Sequence, residues 1–444
     1  MQAFAEEVKS DGFRHVVLLG MGGSSLGALA LSDLFGSADG YPDLTVLDTT
    51  VPATISAISD SLDCEKTLFI VASKSGTTIE PNVLYKHFRA LVEREIEGAD
   101  TGNHFVAICD AGTSLERLAR EDGFRRVFTN PPDLGGRYSV QSLFGLVPAA
   151  LLGIDVGKLL DSVETMSTLC GATVPANDNP AVWLGALIAS LVEQGRDKLT
   201  IVTTESLQNF ALWVEQLLAE STEEDDTDAT DRYMKVVEEA GIPVVRFDLT
   251  GRHNIGAEFF RWEFATAVAG SLMGIHPFDQ PNVQQAKDKT TELLADYENS
   301  GRAPALNAVS SLTELMSHVK KGDYLAITAF AEPTAQVELA LADLRQNVTG
   351  KWGVATTLGY GPRYLHSTGQ LHKGGADSGL SLQLTQIENA DVTIPGEKFT
   401  FGVLAAAQAK GDLDALAAQG RHVARINLGA DAVQTVKTLA NSLK

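Results

Sequence analysis

The chain has 444 residues, of which 44 % are hydrophobic, a composition typical of a globular protein with two or three domains. Its 57 acidic residues outnumber 35 basic ones, and the formal net charge of −22 argues against nucleic acid or an anionic membrane as a partner. Three cysteines without metal-binding spacing, an acidic start at Met1–Glu7 and no apolar stretch of the ~18 residues that span a bilayer predict a cytoplasmic protein.

Short β-rich runs alternate with helical stretches over roughly the first 130 residues, which predicts a parallel, doubly wound α/β sheet. The predicted strands are His15–Leu19, Leu44–Leu47, Thr67–Ala72, Phe105–Cys109 and Arg126–Phe128.

Helical periodicity dominates residues 138–195, and the strand-helix alternation then resumes, which predicts a second α/β domain. Its predicted elements are the strand Leu199–Thr203, the helix Leu207–Leu218, the strand Pro243–Phe247 and the helix Glu258–Gly274. An acidic run at Glu223–Asp228 is typical of a solvated loop.

From about residue 300 the chain repeats the same alternation and predicts a third α/β segment. Its predicted strands are Tyr324–Phe330, Val354–Leu358, Leu380–Leu384 and His422–Leu428.

Two loops of small residues follow predicted strands: Gly-Met-Gly-Gly-Ser-Ser-Leu-Gly at 20–27 and Ser-Lys-Ser-Gly-Thr-Thr at 73–78. Glycines let the backbone approach an anion, hydroxyls donate to its oxygens, and a following helix contributes its N-terminal N–H groups. Neither loop matches a nucleoside triphosphate loop or a dinucleotide fingerprint. Together they predict a site for a phosphomonoester, with two ordinary strand-to-helix turns as the alternative.

Five motifs resemble those of the phosphoglucose isomerases, in the family's order. They are Gly20-Met-Gly-Gly-Ser-Ser-Leu-Gly, Ser73-Lys-Ser-Gly-Thr-Thr-Ile-Glu80, Gly135-Gly-Arg-Tyr-Ser139, Ala219-Glu-Ser221 and Phe278-Asp-Gln-Pro-Asn-Val-Gln-Gln-Ala-Lys287. The tail, with Gly361-Pro-Arg-Tyr-Leu-His-Ser-Thr-Gly-Gln-Leu-His-Lys-Gly-Gly375, is similar to the isomerase half of bifunctional transaldolase/phosphoglucose isomerases.

The resemblance implies two sugar-isomerase domains, each a doubly wound parallel sheet, followed by a C-terminal α/β extension. The expected boundaries are 1–155, 156–297 and 298–444. Because the first strand begins near His15, with little sequence before it, we also expect a longer parent chain. The resemblance to the bifunctional proteins implies that this parent chain is fused to a transaldolase.

The resemblance further implies interconversion of glucose 6-phosphate and fructose 6-phosphate through a cis-enediol, without metal or other cofactor. Glu220 matches the base that moves a proton between C2 and C1, Arg137 the group that stabilises the enediolate, and Lys287 a group that assists ring opening. The alternative interpretation, without the resemblance, is that Glu220 is a solvated residue of an acidic loop and that Arg137 and Lys287 are surface cations.

The hydroxyl and glycine residues of the loops match the family's substrate contacts, although Ser and Thr also favour turns and helix caps. The expected phosphate ligands are Ser24, Ser73, Ser75 and Thr78. The further expected substrate contacts are Gly22, Gly23, Lys74, Thr77 and Gly136. Glu80 matches a carboxylate of the family and is equally suited to the first turn of a helix.

The histidine that opens the sugar ring has no single match. His253 and His276 lie between Glu220 and the Phe278 motif, outside any family pattern. His366 and His372, in the polar Gly-rich tail, are the expected catalytic histidines, and Arg363 and Lys373 beside them are candidate phosphate contacts. The resemblance implies either a homodimer, in which a partner subunit supplies the histidine, or a monomer in which the tail supplies it.

Two alternatives to the isomerase remain open from the sequence. The acidic run after Ser221 replaces a loop that contains glycine and lysine in the family, so a sugar-phosphate-binding regulatory module with weakened catalysis is one alternative. An isomerase that also accepts mannose 6-phosphate is the other.

Overall fold

The structure is a computed structural model that describes residues 1–96, 98, 100–221, 225–226, 243–279, 283–386 and 391–444, with only the backbone at 225–226 and 283–284. It divides into two compact units. The first comprises Met1–Leu47, Asp63–Tyr85 and Leu91–Asp279, and the second comprises Asp48–Leu62, Lys86–Ala90 and Gln280–Lys444.

The described residues form strands and helices in the alternating order of an α/β protein. The strands are β1 (His15–Gly20), β2 (Asp43–Leu47), β3 (Thr67–Ala72), β4 (Phe105–Asp110), β5 (Arg126–Asn130), β6 (Lys198–Leu199), β7 (Asp225–Asp226), β8 (Tyr324–Phe330), β9 (Ala355–Tyr360), β10 (Gly379–Thr385) and β11 (Val423–Asn427). The helices are α1 (Gln2–Ser10), α2 (Leu26–Phe35), α3 (Pro52–Ser61), α4 (Ile79–Glu95), α5 (Ser114–Glu121), α6 (Leu143–Leu151), α7 (Val156–Leu169), α8 (Pro180–Glu193), α9 (Gln208–Ala219), α10 (Ile255–Met273), α11 (Val283–Ser300), α12 (Leu312–Met316), α13 (Ala335–Trp352), α14 (Gly369–Gly374), α15 (Phe401–Ala418) and α16 (Ala432–Asn441).

The sheet of the first unit is parallel throughout, with the strand order β2-β1-β3-β4-β5. β3 and β4 are buried along their whole length, which explains their near-continuous apolar sequences. The chain passes from β1 outward to β2 and returns to β3 on the other side of β1, so the strand order reverses between β1 and β3. Ligands of open α/β sheets bind at the carboxyl ends of such strands, where both hydroxyl loops begin.

One hydrophobic core covers this sheet and extends from Phe4 to Ala269. Helices α7 to α10, which the sequence assigns to a second domain, contribute buried residues to this same core. The boundaries expected at residues 155 and 297 remain predictions.

The two strands predicted at Leu199–Thr203 and Pro243–Phe247 are not found with those bounds. β6 is confined to Lys198–Leu199, where it pairs in parallel with β7. Pro243–Phe247 forms no strand, and Val245 and Phe247 are 36 % and 39 % exposed, whereas a strand inside a parallel sheet is buried on both faces. The described part of this segment therefore contains only the short parallel β6–β7 pair, in place of the two longer strands predicted there.

The second unit contains its own parallel sheet, with the strand order β11-β10-β8-β9. All four of its strands lie within two residues of their predicted bounds, and the α/β class is confirmed. One face of the sheet is apolar, with Ile327 and Leu382 in a core that includes α12, α13 and α16. The other face is polar and buried, and its Gln383 and Arg425 both donate to Ala409 O of α15. Among the described residues, no helix has the length and apolar character of a membrane span.

Candidate active site

The loop after β1 is pressed against the loop that carries Arg137. Gly22 has a φ of +53°, and a Cβ on Gly23 would lie 2.0 Å from Gly136 O. Ser139 Oγ donates across the contact to Gly23 O at 3.3 Å. Gly22 and Gly23 are therefore required by backbone geometry, and they bring Ser24, which is half-buried, next to the loop at 135–139.

The loop after β3 combines hydroxyl groups with the N-terminus of a long helix. Ser75 and Thr77 are exposed, their hydroxyl oxygens lie 2.9 Å apart, and α4 begins at Ile79 directly after Thr78. Gly76 turns the loop at a φ of +69°, and a Cβ there would lie 2.8 Å from Leu115 N. The helix dipole and the backbone N–H groups at the start of α4, where Pro81 contributes none, favour an anion at this loop.

Ser73 provides the most specific indication of a ligand. Its side chain is 2 % exposed, and its Oγ has no hydrogen-bond partner among the described residues. An unsatisfied buried hydroxyl is costly, and a bound acceptor such as a phosphate oxygen removes that cost.

Lys74, expected as a substrate contact, is held by protein groups. Its Nζ forms an ion pair with Asp110 and donates to Pro132 O at 3.0 Å. The lysine therefore ties the loop after β3 to the end of β4. Glu80, in the first turn of α4, is 2 % exposed.

Arg137 is buried, with a side chain 3 % exposed, at the centre of a dense set of contacts. Its Nε donates to Ser221 Oγ at 2.6 Å, and its Nη2 donates to the carbonyl oxygens of Pro277 at 2.6 Å and Asp279 at 3.2 Å. These bonds join three of the predicted motifs, those at 135–139, 219–221 and 278–287, around one guanidinium.

Glu220 lies at the carboxyl end of α9, and its side chain is 5 % exposed. Its Oε2 is 3.8 Å from Arg137 Nη1 and accepts a long hydrogen bond of 3.4 Å from Gln216 Nε2. The structure thus brings together the expected base and the expected enediolate-stabilising cation, which are separated by 83 positions in the sequence.

Tyr138 and Ser221 belong to the same cluster and were missed as functional residues, although both lie within the motifs that carry the resemblance. Tyr138 Oη is 3.0 Å from Ser221 Oγ and donates to Pro277 O at 3.0 Å. Burial raises the pKa of Tyr138, so the phenol stays protonated at neutral pH. It serves as a neutral hydrogen-bond donor beside Arg137.

The other expected catalytic residues lie in the second unit. Lys287 is on the exposed surface of α11, and His366 is half-buried in the short turn Arg363–His366. His372 is 7 % exposed, with Nδ1 3.1 Å from Tyr324 Oη. Burial, reinforced by the charge of Lys373, lowers the pKa of His372 to about 4, so its ring is neutral near pH 7.

The two basic side chains of the tail are engaged within the second unit. Arg363 binds Asp48 through Nε at 2.6 Å and Nη2 at 2.8 Å, and Lys373 forms a buried ion pair with Asp412. Their role as phosphate contacts remains a prediction.

The two remaining histidines pack against aromatic rings in the first unit. The His253 ring lies edge-on to Phe35 at 5.0 Å, and the exposed His276 lies 6.0 Å from the Phe278 ring. The acidic run at 223–228 lies outside the described residues, apart from the backbone of β7. The described chain has no group of three or more His, Cys, Asp or Glu side chains that would hold a metal ion.

The sequence of this chain is similar to those of known proteins. The model of the phosphoglucose isomerase family matches residues 1–238. A glucose-6-phosphate isomerase of Rubrobacter xylanophilus is 29 % identical over 367 residues, covering 64 % of this chain and 83 % of that protein. A probable glucose-6-phosphate isomerase of Methanococcus maripaludis is 26 % identical over 363 residues, covering 65 % and 82 %.

The fold is also found in a solved structure. The crystal structure of a glucose-6-phosphate isomerase from Chlamydia trachomatis aligns with a TM-score of 0.55 at 18 % identity, over 67 % of this chain and 72 % of that one. The family match covers more than half of this chain and includes both hydroxyl loops, Arg137 and Glu220. The chain therefore belongs to the phosphoglucose isomerase family.

Proposed function

We propose that this chain interconverts glucose 6-phosphate and fructose 6-phosphate. The observation that carries the proposal is the buried pairing of Glu220 with Arg137, at an Oε2–Nη1 distance of 3.8 Å. A single carboxylate next to a fixed guanidinium is the arrangement that a proton transfer through an enediolate requires. The names of the relatives agree with this activity.

In the proposed reaction, Glu220 removes the proton from C2 of the open-chain aldose, the electrons of the C2–H bond form the C1–C2 double bond, and the π electrons of the C1 carbonyl move onto O1 to give a cis-enediolate. A proton passes from O2 to O1, the O2 lone pair left by it forms the C2 carbonyl, and the electrons of the C1–C2 double bond take the proton back from the Glu220 carboxylic acid at C1. Negative charge develops on the sugar oxygens between the two steps. Arg137 stabilises that charge without reorganising, because Ser221, Pro277 and Asp279 already fix its guanidinium.

The phosphate of the substrate is assigned to the two hydroxyl loops. The buried Ser73 hydroxyl, the exposed hydroxyls of Ser75 and Thr77 and the N-terminus of α4 supply donors for a dianion in a chain whose net charge is −22. Ser24 and Thr78 complete the set by their position in the same loops. The proposed chemistry uses no metal or other cofactor.

For ring opening we assign His366 rather than His372, with Lys287 assisting. A general acid near pH 7 needs a pKa close to that value, and burial holds the pKa of His372 at about 4. His366 is half-buried and therefore more accessible to a ligand than His372.

A coupled assay tests the proposed function. Purified protein is incubated with glucose 6-phosphate and EDTA, and fructose 6-phosphate formation is measured. We expect turnover that EDTA does not reduce. A folded protein without turnover would refute the proposal, and loss of turnover that added metal restores would refute its metal-free form.

The same preparation distinguishes the two alternatives. A regulatory module would be stabilised against heat by fructose 6-phosphate but would not convert it. An isomerase of broader specificity would also convert mannose 6-phosphate, which differs from glucose 6-phosphate only at C2.

Three further expectations accompany the proposed function. We propose a cytoplasmic location, supported by three free and buried cysteines. A homodimer and a fusion to a transaldolase in the parent protein remain predictions from the sequence resemblance.

A further inference from the structure

The two hydroxyl loops, at 20–27 and 73–78, contain a single charged side chain, that of Lys74. Its Nζ forms an ion pair with Oδ2 of Asp110, the last residue of β4, and also donates to Pro132 O at 3.0 Å. The backbone is tied at the same place, because Asp110 N donates to Lys74 O at 3.1 Å. Lys74 is therefore fixed beside the loop after β3 by groups that all belong to the first unit.

The carboxylate of Asp110 is poorly satisfied for a buried group. Asp110 is 6 % exposed, and although its Oδ2 pairs with Lys74, its Oδ1 has no hydrogen-bond partner among the described residues. A buried carboxylate oxygen without a donor costs stability, because it has given up its hydrogen bonds to water. The desolvation of the carboxylate also offsets its attraction to the lysine, so stability is a poor explanation for an acid at this position.

The charge of Lys74 is the one formal positive charge that the two loops offer to a phosphate dianion, and Asp110 cancels it. The loop after β3 is left with neutral donors, which are the hydroxyls of Ser73, Ser75 and Thr77 and the backbone N–H groups at the start of α4. Substrate, intermediate and product of the isomerisation all carry the same phosphate. Stronger binding of a group that does not react lowers KM without raising kcat, so weak phosphate binding costs no catalytic rate.

We propose that Asp110 limits the affinity of the loop at 73–78 for phosphate by neutralising the charge of Lys74. This inference rests on the proposed function, because it takes that loop to hold the phosphate of the sugar. Asp110 acts through Lys74 and does not itself contact the substrate, since its carboxylate and the phosphate repel each other.

A double-mutant cycle on Asp110 and Lys74 tests the inference. The variants are Asp110→Asn, Lys74→Met and the two combined. Each is measured for kcat and KM with fructose 6-phosphate, for the inhibition constant of inorganic phosphate and for its melting temperature. Asparagine keeps the shape of aspartate without its charge, and Pro132 O still holds the lysine when the carboxylate is gone.

Two controls make the same charge changes at the opposite edge of the sheet. Glu7→Gln removes an acid paired with Arg125 and Arg126, at the amino end of β5. Lys66→Met removes a lysine paired with Asp63, directly before β3. A six-residue strand such as β3 spans about 20 Å, whereas charges more than about 8 Å apart are screened at physiological ionic strength. Both controls should therefore leave KM and the inhibition constant of phosphate within about 2-fold of the wild type.

We expect Asp110→Asn to lower KM and the inhibition constant of phosphate about 3- to 10-fold, with kcat within about 3-fold of the wild type. Lys74→Met should raise both constants about 10-fold, because it leaves the Asp110 carboxylate uncompensated beside the phosphate. The double variant should return to within about 3-fold of the wild type, because it removes both charges. Tighter binding by Asp110→Asn cannot result from damage to the fold, so the direction of the change excludes a merely structural role.

A double variant that binds phosphate as weakly as Lys74→Met would overturn the inference, because the phosphate would then need the lysine's own charge. Unchanged or weaker phosphate binding by Asp110→Asn would overturn it as well. An equal tightening in Glu7→Gln would do the same, because the effect would then be one of net charge alone. These three results leave the proposed function standing, whereas a wild-type protein that neither converts fructose 6-phosphate nor binds phosphate would refute that function.

Discussion

Arg137 Nη1 lies 3.8 Å from Glu220 Oε2, and both side chains are almost completely buried. The separation exceeds hydrogen-bond length, whereas the other contacts of the guanidinium, to Ser221 and Pro277, are as short as 2.6 Å. The hydrogen bonds described for the guanidinium go to a hydroxyl and two backbone carbonyl oxygens, all neutral, and they hold it beside the carboxylate.

Replacing Arg137 by lysine tests that arrangement. Lysine keeps the charge but lacks the planar set of donors that reaches Ser221 and two carbonyl oxygens at once. We expect kcat to fall about 100- to 1,000-fold with little change in KM, since the missing interaction belongs to the transition state. Steady-state kinetics with fructose 6-phosphate measure both constants.

Tyr138→Phe is the companion variant for Arg137→Lys. It removes one donor from the same cluster and leaves the guanidinium in place. We expect a smaller loss of kcat, and an equal loss in both variants would contradict the specific role of the arginine.

Ser73→Ala tests the phosphate loop. The Ser73 hydroxyl has no partner among the described residues, so its removal should not destabilise the ligand-free protein. A hydrogen bond to a charged group contributes about 1.5–3 kcal/mol, so KM for the sugar phosphate should rise roughly 10- to 100-fold. The measurements are KM and the melting temperature without ligand.

Thr67→Val is the matched control for Ser73→Ala. Thr67 is equally buried, but its Oγ1 donates to Asp63 O at 2.7 Å. The control should lower the melting temperature and leave KM unchanged. The reverse pattern, with Ser73→Ala destabilised and its KM normal, would remove Ser73 from the phosphate site.

Gly23→Ala should disrupt the contact between the first loop and the arginine loop. The added Cβ would lie 2.0 Å from Gly136 O, so the two loops must separate. We expect a melting temperature several degrees lower and a severe loss of activity. Gly136→Ala is the control, since its Cβ would meet nothing within 4 Å, and its melting temperature should match the wild type.

The stability of the second unit should depend on pH through His372. Burial lowers the pKa of His372 to about 4 from an ordinary value of 6.5, so in acid the unfolded chain takes up a proton that the folded chain does not. The contribution of His372 to the free energy of unfolding is therefore fully present above about pH 6.5. It is lost as the pH falls towards 4, and the total loss is on the order of 3 kcal/mol.

Urea denaturation at pH 7 and pH 5, followed for wild type and His372→Gln, measures this contribution. The variant should lose less stability between the two pH values than the wild type. Identical losses in the two proteins would exclude His372 as the titrating group.

The sequence predicts the strands best where both faces are buried. Thr67–Ala72 and Tyr324–Phe330 were predicted with their exact bounds, because a continuous apolar run is distinctive of a strand inside a parallel sheet. Pro243–Phe247 has the same β-branched and aromatic character but forms no strand. Local composition does not report whether a neighbouring strand is present to pair with it.

The sequence predicts those residues of the site that lie in recognisable motifs. Arg137 and Glu220 were found because they lie in motifs, and the structure adds that they face each other. The anchoring of Arg137 by the carbonyl oxygens of Pro277 and Asp279 was not predictable, because every residue carries a carbonyl group. His366 and His372 are six positions apart in one motif, and only the packing shows that His372 is the buried one.

Solvent isotope exchange shows whether Glu220 transfers the proton of the sugar. Incubation of glucose 6-phosphate with the protein in D₂O, followed by NMR, reports deuterium at C2. We expect incorporation by the wild type and a loss of about 100- to 10,000-fold in Glu220→Gln, with substrate binding retained. Incorporation by Glu220→Gln at the wild-type rate would mean that another group transfers the proton.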